Sequence, residues 1–223
     1  MLIKQVVKPL QMLGLIGVVM LFGTIANAQV PPQELVVQVK KAVVIITAHD
    51  QQGRTLQQGS GFFIAADRII TNLHVVRSAH DIRIQTFNGS TVDAESIVAS
   101  DEISDLALLA IKSPSPGTTT LSVEELGALE GESVMVVSNP RGSDWKVTTG
   151  QVGASWNFEH VGTRMQITAS LQPGSSGGPV VNLQGHVVGV AAMHIEGADD
   201  LDFAIPAERI ERLGRIASLR PRK

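Results

Sequence analysis

The sequence predicts an all-β protein, a barrel or sandwich of short strands ending in one helix, and three observations carry that expectation. Short β-branched and aliphatic runs recur along the chain, from Ala42-Val43-Val44-Ile45-Ile46-Thr47 to the stretch His186 to Met193. Gly and Pro, 21 and 10 of 223 residues, punctuate those runs as turn signals. Only the end has clear helical spacing: Pro206 opens a segment in which Ile210, Leu213 and Ala217 share one face.

Taken in order, Val30-Pro31-Pro32 is a stiff lead-in, and Glu34 to Lys41 reads as a short helix with Leu35 and Val39 on one side. Ala42 to Thr47 is a buried strand, followed by a polar loop over His49 to Gln58. Gly59-Ser60-Gly61 leads into Phe62-Phe63-Ile64, and Ala66-Asp67 turns the chain into Ile69 to Asn72. Asp81 to Phe87 alternates polar and apolar residues, Asn88-Gly89 is a hairpin turn, and Thr91 to Ala99 returns. Asp105 to Lys112 is a further apolar strand. Ser113 to Thr120, rich in Pro, Gly, Ser and Thr, reads as a linker between lobes. Ser133 to Val137, Val147 to Val152, Arg164 to Thr168, Val180-Val181 and His186 to Met193 complete the strands.

Composition narrows the function. With 43% hydrophobic and 17% charged residues the chain can bury a large core, and with 4% aromatics and no Tyr that core is aliphatic. Eighteen Lys and Arg stand against 21 Asp and Glu, which argues against a nucleic-acid partner. No cysteine is present, so disulfides, a thiol nucleophile and Cys-ligated zinc are excluded. The first 28 residues read as a signal peptide: Lys4 and Lys8, then the apolar stretch Leu10 to Ile25, then Ala26-Asn27-Ala28 before Gln29. That stretch is shorter than the ~20 residues a membrane span needs. The expectation is therefore a periplasmic or secreted domain over 29–223, with lobes near 29–112 and 121–205, and no membrane association once the leader is cut. A retained membrane anchor is the alternative.

Gly174-Ser175-Ser176-Gly177-Gly178-Pro179 is the most informative segment. A serine between glycines sits on backbone that can turn sharply, and successive N–H groups in such a turn can converge on a developing oxyanion. A serine needs a base, and His74 follows the apolar strand ending at Asn72. A base needs an orienting acid, and Asp105 heads the strand Leu106-Ala107-Leu108-Leu109. Each residue has an ordinary structural explanation alone; the three together, each at a strand end and in the order His, Asp, Ser, do not. Gly174-x-Ser176-x-Gly178 also fits the α/β-hydrolase elbow, but that fold needs an acid and then a histidine after the serine. No Asp or Glu lies between Ser176 and His194, so that order is missing.

These residues carry a resemblance. Gly59-Ser60-Gly61-Phe62, Thr71-Asn72-Leu73-His74-Val75-Val76, Ser104-Asp105-Leu106-Ala107, Asn139-Pro140, Val147-Thr148-Thr149-Gly150, Gly174 to Pro179 and Asp202-Phe203-Ala204-Ile205-Pro206 resemble, in order, the HtrA/Deg branch of the chymotrypsin-like serine proteases. The resemblance implies two six-stranded β-barrels with the site between them. It implies His74 as general base, Asp105 as its orienter, Ser176 as nucleophile, and the N–H groups of Gly174 and Ser176 as oxyanion hole. Ala191, Ala192, Met193 and His194 would bind substrate, added as a strand beside Val190 to Met193. The implied activity is cleavage of unfolded or misfolded exported polypeptides without metal or cofactor. The rival is a catalytically silent peptide-binding module on the same fold.

The sequence also departs from the family. Ser175 stands where digestive relatives have an acid and HtrA-like proteins Asn, so contacts from Trp145, Arg141 or Gln172 are expected to order the loop instead. Thr168 replaces a usual Asp. No PDZ domain is expected after the terminal helix, and Gln29 to Lys41 lacks the aromatic residues that hold family trimers, which leaves oligomerisation open. The pocket for the residue before the cut is expected to favour aliphatic side chains, with Asp202 facing a loop donor or solvent. His49, His80 and His160 are expected at the surface, Trp145 and Trp156 in ordinary packing, and Arg220 to Lys223 as a frayed basic tail.

Overall fold

A computed structural model describes residues 29–112, 117–124, 126–139, 144–195 and 201–219. The leader over 1–28, much of the expected linker, Pro140, Arg141 and the basic tail lie outside the described residues.

Helix α1 (Gln33–Ala42) precedes strands β1 (Val43–His49), β2 (Thr55–Ala65) and β3 (Arg68–Asn72). A single turn, α2 (Leu73–Val76), leads to β4 (Asp81–Thr86), β5 (Thr91–Asp101) and β6 (Leu106–Ile111). Then come β7 (Ser133–Ser138), β8 (Lys146–Phe158), β9 (Gly162–Ile167), β10 (Pro179–Asn182), β11 (Val187–Ile195), β12 (Leu201–Pro206) and α3 (Glu208–Leu219). The described strands close into two antiparallel barrels of six, β1-β2-β3-β6-β5-β4 and β10-β11-β12-β9-β8-β7.

The apolar runs have no polar face because many strands are buried on both sides. Side chains on a strand alternate between faces. Phe63 and Ile69 accordingly fill the first barrel with Ile46 and Leu109, while Phe62 and Ile70 point outward. The outward set joins Met135, Val137, Val190 and Ile205 of the second barrel in one shared core. That core cements the seam on which the site lies. α3 closes it: Ile210 and Leu213 are buried, and the helix packs back onto β5 and β6 of the first barrel.

The Asn88-Gly89 turn forms as expected, with Gly89 at φ +85 and the Thr86 N–H donating to the Ser90 carbonyl at 2.9 Å. Besides shifts of one or two residues at other ends, three boundaries differ from expectation. β2 starts at Thr55, inside the expected loop, because its exposed first half pairs with the end of β1. β8 runs on to Phe158 as a hairpin with β9. Pro206 ends β12 instead of opening α3, which begins at Glu208.

Candidate active site

The register between β3 and β6 assembles the first half of the site. Asn72 pairs with Leu106, so the turn after Asn72 lies beside the residue before Leu106. Asp105 takes the left-handed conformation, φ +59, found in no other described non-glycine residue. Its carbonyl accepts the Leu73 N–H and the Asn72 Nδ2–H, both at 3.0 Å. Its carboxylate holds His74 at two points: Oδ1 accepts the backbone N–H at 2.8 Å, and Oδ2 lies 2.6 Å from Nδ1. A carboxylate accepts only, so the ring proton sits on Nδ1 and the neutral imidazole keeps Nε2 as an acceptor.

The turn that delivers Asp105 is itself fixed. Asp101 accepts the N–H groups of Ile103 and Ser104 at 3.0 and 3.1 Å and the Ser104 hydroxyl at 2.9 Å. Burial pushes the Asp101 carboxyl up, but these donors outweigh it and hold the group below its ordinary value. From β9, Arg164 reaches the same turn and donates from Nη2 to the Ser104 carbonyl at 3.4 Å. Burial pulls this guanidinium down, while the charges of Asp105 and Asp101 act the other way.

The second half is the loop 172–178. The Gly177 N–H donates to Ala191, and the Ala191 N–H donates to Gly178, each at 2.8 Å, which ties the loop to β11. Ser60 of β2 clamps it from the first barrel. Its N–H donates to the Ser176 carbonyl and its hydroxyl to the Gly174 carbonyl, both at 2.8 Å. Gly177, at φ +85, lies so close to this clamp that an added Cβ would meet the Ser60 carbonyl at 2.2 Å. On the other side, a Cβ on Gly59 would stand 2.8 Å from Val75 and 3.0 Å from the Ser176 carbonyl. The histidine turn and the serine loop therefore meet across Gly59. Among the described residues the N–H groups of Gly174 and Ser176 donate to nothing, and the Ser176 hydroxyl is unbonded. Such contacts are commonly loose before substrate binds.

Ser175 is satisfied without an ion pair. Its Oγ lies 3.1 Å from Ser138 Oγ and accepts the Gln172 N–H at 3.2 Å, so Gln172 is one of the expected ordering contacts. Trp145 packs on Phe87, with ring centroids 5.6 Å apart. Thr168 Oγ1 accepts the Gln151 N–H at 2.8 Å, tying β8 to the end of β9.

A cleft of about 760 Å³ opens beside Ser176, lined in part by Leu171, Ala192, Met193 and His194. Ala191 does not line it: the residue is fully buried and both its backbone groups hold the loop. Asp202 corrects the expectation of a loop donor or solvent. It is buried, and its Oδ1 lies 2.9 Å from His194 Nδ1 on the neighbouring strand. His80 and His160 are exposed, and His49 is half-buried on β1. Trp156 stacks on Phe158 and donates from Nε1 to Gln166. Sequence reasoning gave Ser60, Asp101 and Arg164 no role. Only Ser60 had a local signal, a serine between glycines like Ser176.

Two antiparallel barrels with His and Asp at the edge of one and a glycine-flanked Ser on a loop of the other define the chymotrypsin-like class. Residues 59–190 match the family model of the trypsin-like peptidase domain, and the chain belongs to that family. It is similar to serine protease HTRA1 of Xenopus laevis, 35% identical over 162 residues, covering 69% of this chain and 35% of that protein. It is also similar to the periplasmic serine endoprotease DegP of Escherichia coli K12, 34% identical over 173 residues, covering 73% and 36%. The chain thus spans about a third of the length of the curated relatives it matches. Among solved structures, the serine endoprotease of Yersinia pestis superposes with a TM-score of 0.73 at 26% identity, over 85% of this chain and 68% of that one.

Proposed function

We propose that the protein is an exported serine endopeptidase in which Ser176 is the nucleophile, His74 the general base and Asp105 the residue that orients it. The observation that carries this reading is the two-point hold of Asp105 on His74, which leaves Nε2 as the acceptor. A serine hydroxyl is a poor nucleophile at neutral pH, so Nε2 takes its proton as Oγ attacks the peptide carbonyl. The carbonyl oxygen becomes an oxyanion, and the unpaired N–H groups of Gly174 and Ser176 are the donors available to it. The imidazolium, stabilised by Asp105, then protonates the leaving amine. Water repeats the cycle on the acyl-enzyme.

The substrate class is an unfolded polypeptide. β10 pairs with β11 only as far as Val190, and Gly177 and Gly178 occupy Ala191. From Ala192 onward, the side of β11 away from β12 has no strand partner among the described residues, so an extended chain can add there. The leader-like first 28 residues support export, as does the likeness to a periplasmic relative.

A fluorophosphonate probe tests the reading. The folded protein is expected to be labelled, and Ser176→Ala to lose the label. Folded protein that stays unlabelled while still binding peptides would sink the enzyme and leave the binding module.

A further inference from the structure

β11 and β12 run antiparallel with His194 opposite Asp202, and the two side chains join through Nδ1 and Oδ1 at 2.9 Å. The Asp202 side chain is 8% exposed and that of His194 37%. On its other flank Asp202 pairs with Ile167, which is buried. Among the described residues His194 is therefore the only side chain that hydrogen bonds the Asp202 carboxylate. A buried carboxylate with one partner holds the ring proton on Nδ1, as such pairs do behind metal-binding histidines. With the proton held on Nδ1, Nε2 is the ring nitrogen left to accept. His194 lines the same cleft as Ser176, where Leu171, Ala192, Met193 and Ile195 supply apolar wall.

We infer that the His194–Asp202 pair selects the substrate residue on the acyl side of the cut, favouring an uncharged side chain that donates a hydrogen bond: Thr, Ser, Asn or Gln. This rests on Ser176 being the nucleophile. An acceptor set in an apolar wall gains from a donor and is left unpaired by an aliphatic side chain of the same shape. A carboxylate is disfavoured twice, by the lone pair on Nε2 and by the charge of Asp202 behind it. The same charge draws a Lys or Arg, but the buried Asp202 carboxylate cannot make a contact ion pair with it, so the attraction offsets only part of the cost of desolvating the cation in this cleft.

The test uses peptides identical except at that residue, in two isosteric pairs, Thr against Val and Gln against Glu. The whole protein is expected to show kcat/KM about three- to tenfold higher for Thr than for Val, the worth of one net hydrogen bond, and at least that for Gln over Glu. His194→Leu is expected to bring the Thr to Val ratio to about one, and Asp202→Asn, which removes the charge and frees the tautomer, to lower the Gln to Glu ratio. A merely structural role would lower all four rates together and leave both ratios alone. If Asp202→Asn does not fold, the partly exposed His194→Leu carries the test. A wild-type Thr to Val ratio at or below one, or a ratio unmoved by His194→Leu, overturns the pair as a specificity determinant while the protease stands. No turnover of any peptide, with no labelling of Ser176, overturns both.

Discussion

Replacing Asp105 separates geometry from charge, because the residue does two jobs at one backbone position. Its φ of +59 belongs to the left-handed region, where Asn is tolerated and other side chains cost roughly 1–2 kcal/mol. Asp105→Asn therefore keeps the backbone, including the carbonyl that accepts from Leu73 and Asn72. It removes the charge behind the imidazole and lets an amide N–H point at Nδ1, which moves the ring proton to Nε2. A base with its acceptor nitrogen protonated cannot take the Ser176 proton. The expected loss in kcat is on the order of 10⁴-fold, as in the analogous substitution in another protease, or about 5 kcal/mol of transition-state stabilisation. Asp105→Ala loses the same charge and adds the backbone strain, so it should be about 1–2 kcal/mol less stable than Asp105→Asn. Urea unfolding of the three proteins gives the stabilities, and casein hydrolysis gives the rates. If Asp105→Asn cleaves casein at the unmutated rate, another acid orients His74. If the Ala and Asn variants unfold at the same urea concentration, the strained conformation does not explain the choice of residue.

Three other substitutions probe the supports of the site. Ser60→Ala leaves the Gly174 carbonyl without its donor and the buried Asn139 N–H without its acceptor; it should cost about 1–3 kcal/mol for each unmade bond and lower kcat more than it raises KM, and an unchanged kcat would show that the clamp does not position the loop. Gly177→Ala pushes a methyl group against the Ser60 carbonyl at a positive φ, so fluorophosphonate labelling should be abolished or the protein should fail to fold; normal labelling would contradict the close approach. Asp101→Asn should be less stable than the wild type at neutral pH, because a carboxyl held below its ordinary value in the native state contributes stability above the unfolded value, near 3.9. That gap should close as pH falls through the depressed native value, and a gap that persists in strong acid would mean the carboxylate's charge is not what fixes the turn.

How far the sequence could be read depended on how local each cause was. Ala42 to Thr47 and Leu106 to Ile111 were readable as strands because burial on both faces leaves continuous apolar runs. The Asn88-Gly89 turn was readable because its chemistry is contained in two residues. α2 was not, since four residues are too few for a helical period. The second half of β8 was not, because Ala154 to Asn157 are exposed and their pairing with β9 leaves no alternating apolar pattern. At the site, His74, Asp105 and Ser176 stood out by residue type and order. The Ser60 clamp joins residues 114 positions apart, and Arg164 reaches Ser104 across 60, separations that no local pattern announces. Asp202 is legible as an acid near the cleft, but its partner follows only from the register of β11 and β12.

The division of the site between two barrels makes their seam a functional element. Each half is held by the other. The serine loop belongs to the second barrel, yet Ser60 of the first holds two of its carbonyls. Asp105 belongs to the first barrel, yet Arg164 of the second bonds the preceding carbonyl. α3 leaves the second barrel and packs on β5 and β6, the two strands that flank the Asp105 turn. Hydrogen bonds of this length do not survive a slip of an ångström or so, and catalytic geometry is no more forgiving. On the proposed mechanism, rigidity at the seam is what keeps His74 and Ser176 in register with each other. The glycines at 59 and 177 allow that rigidity by letting the two backbones approach where a side chain would hold them apart.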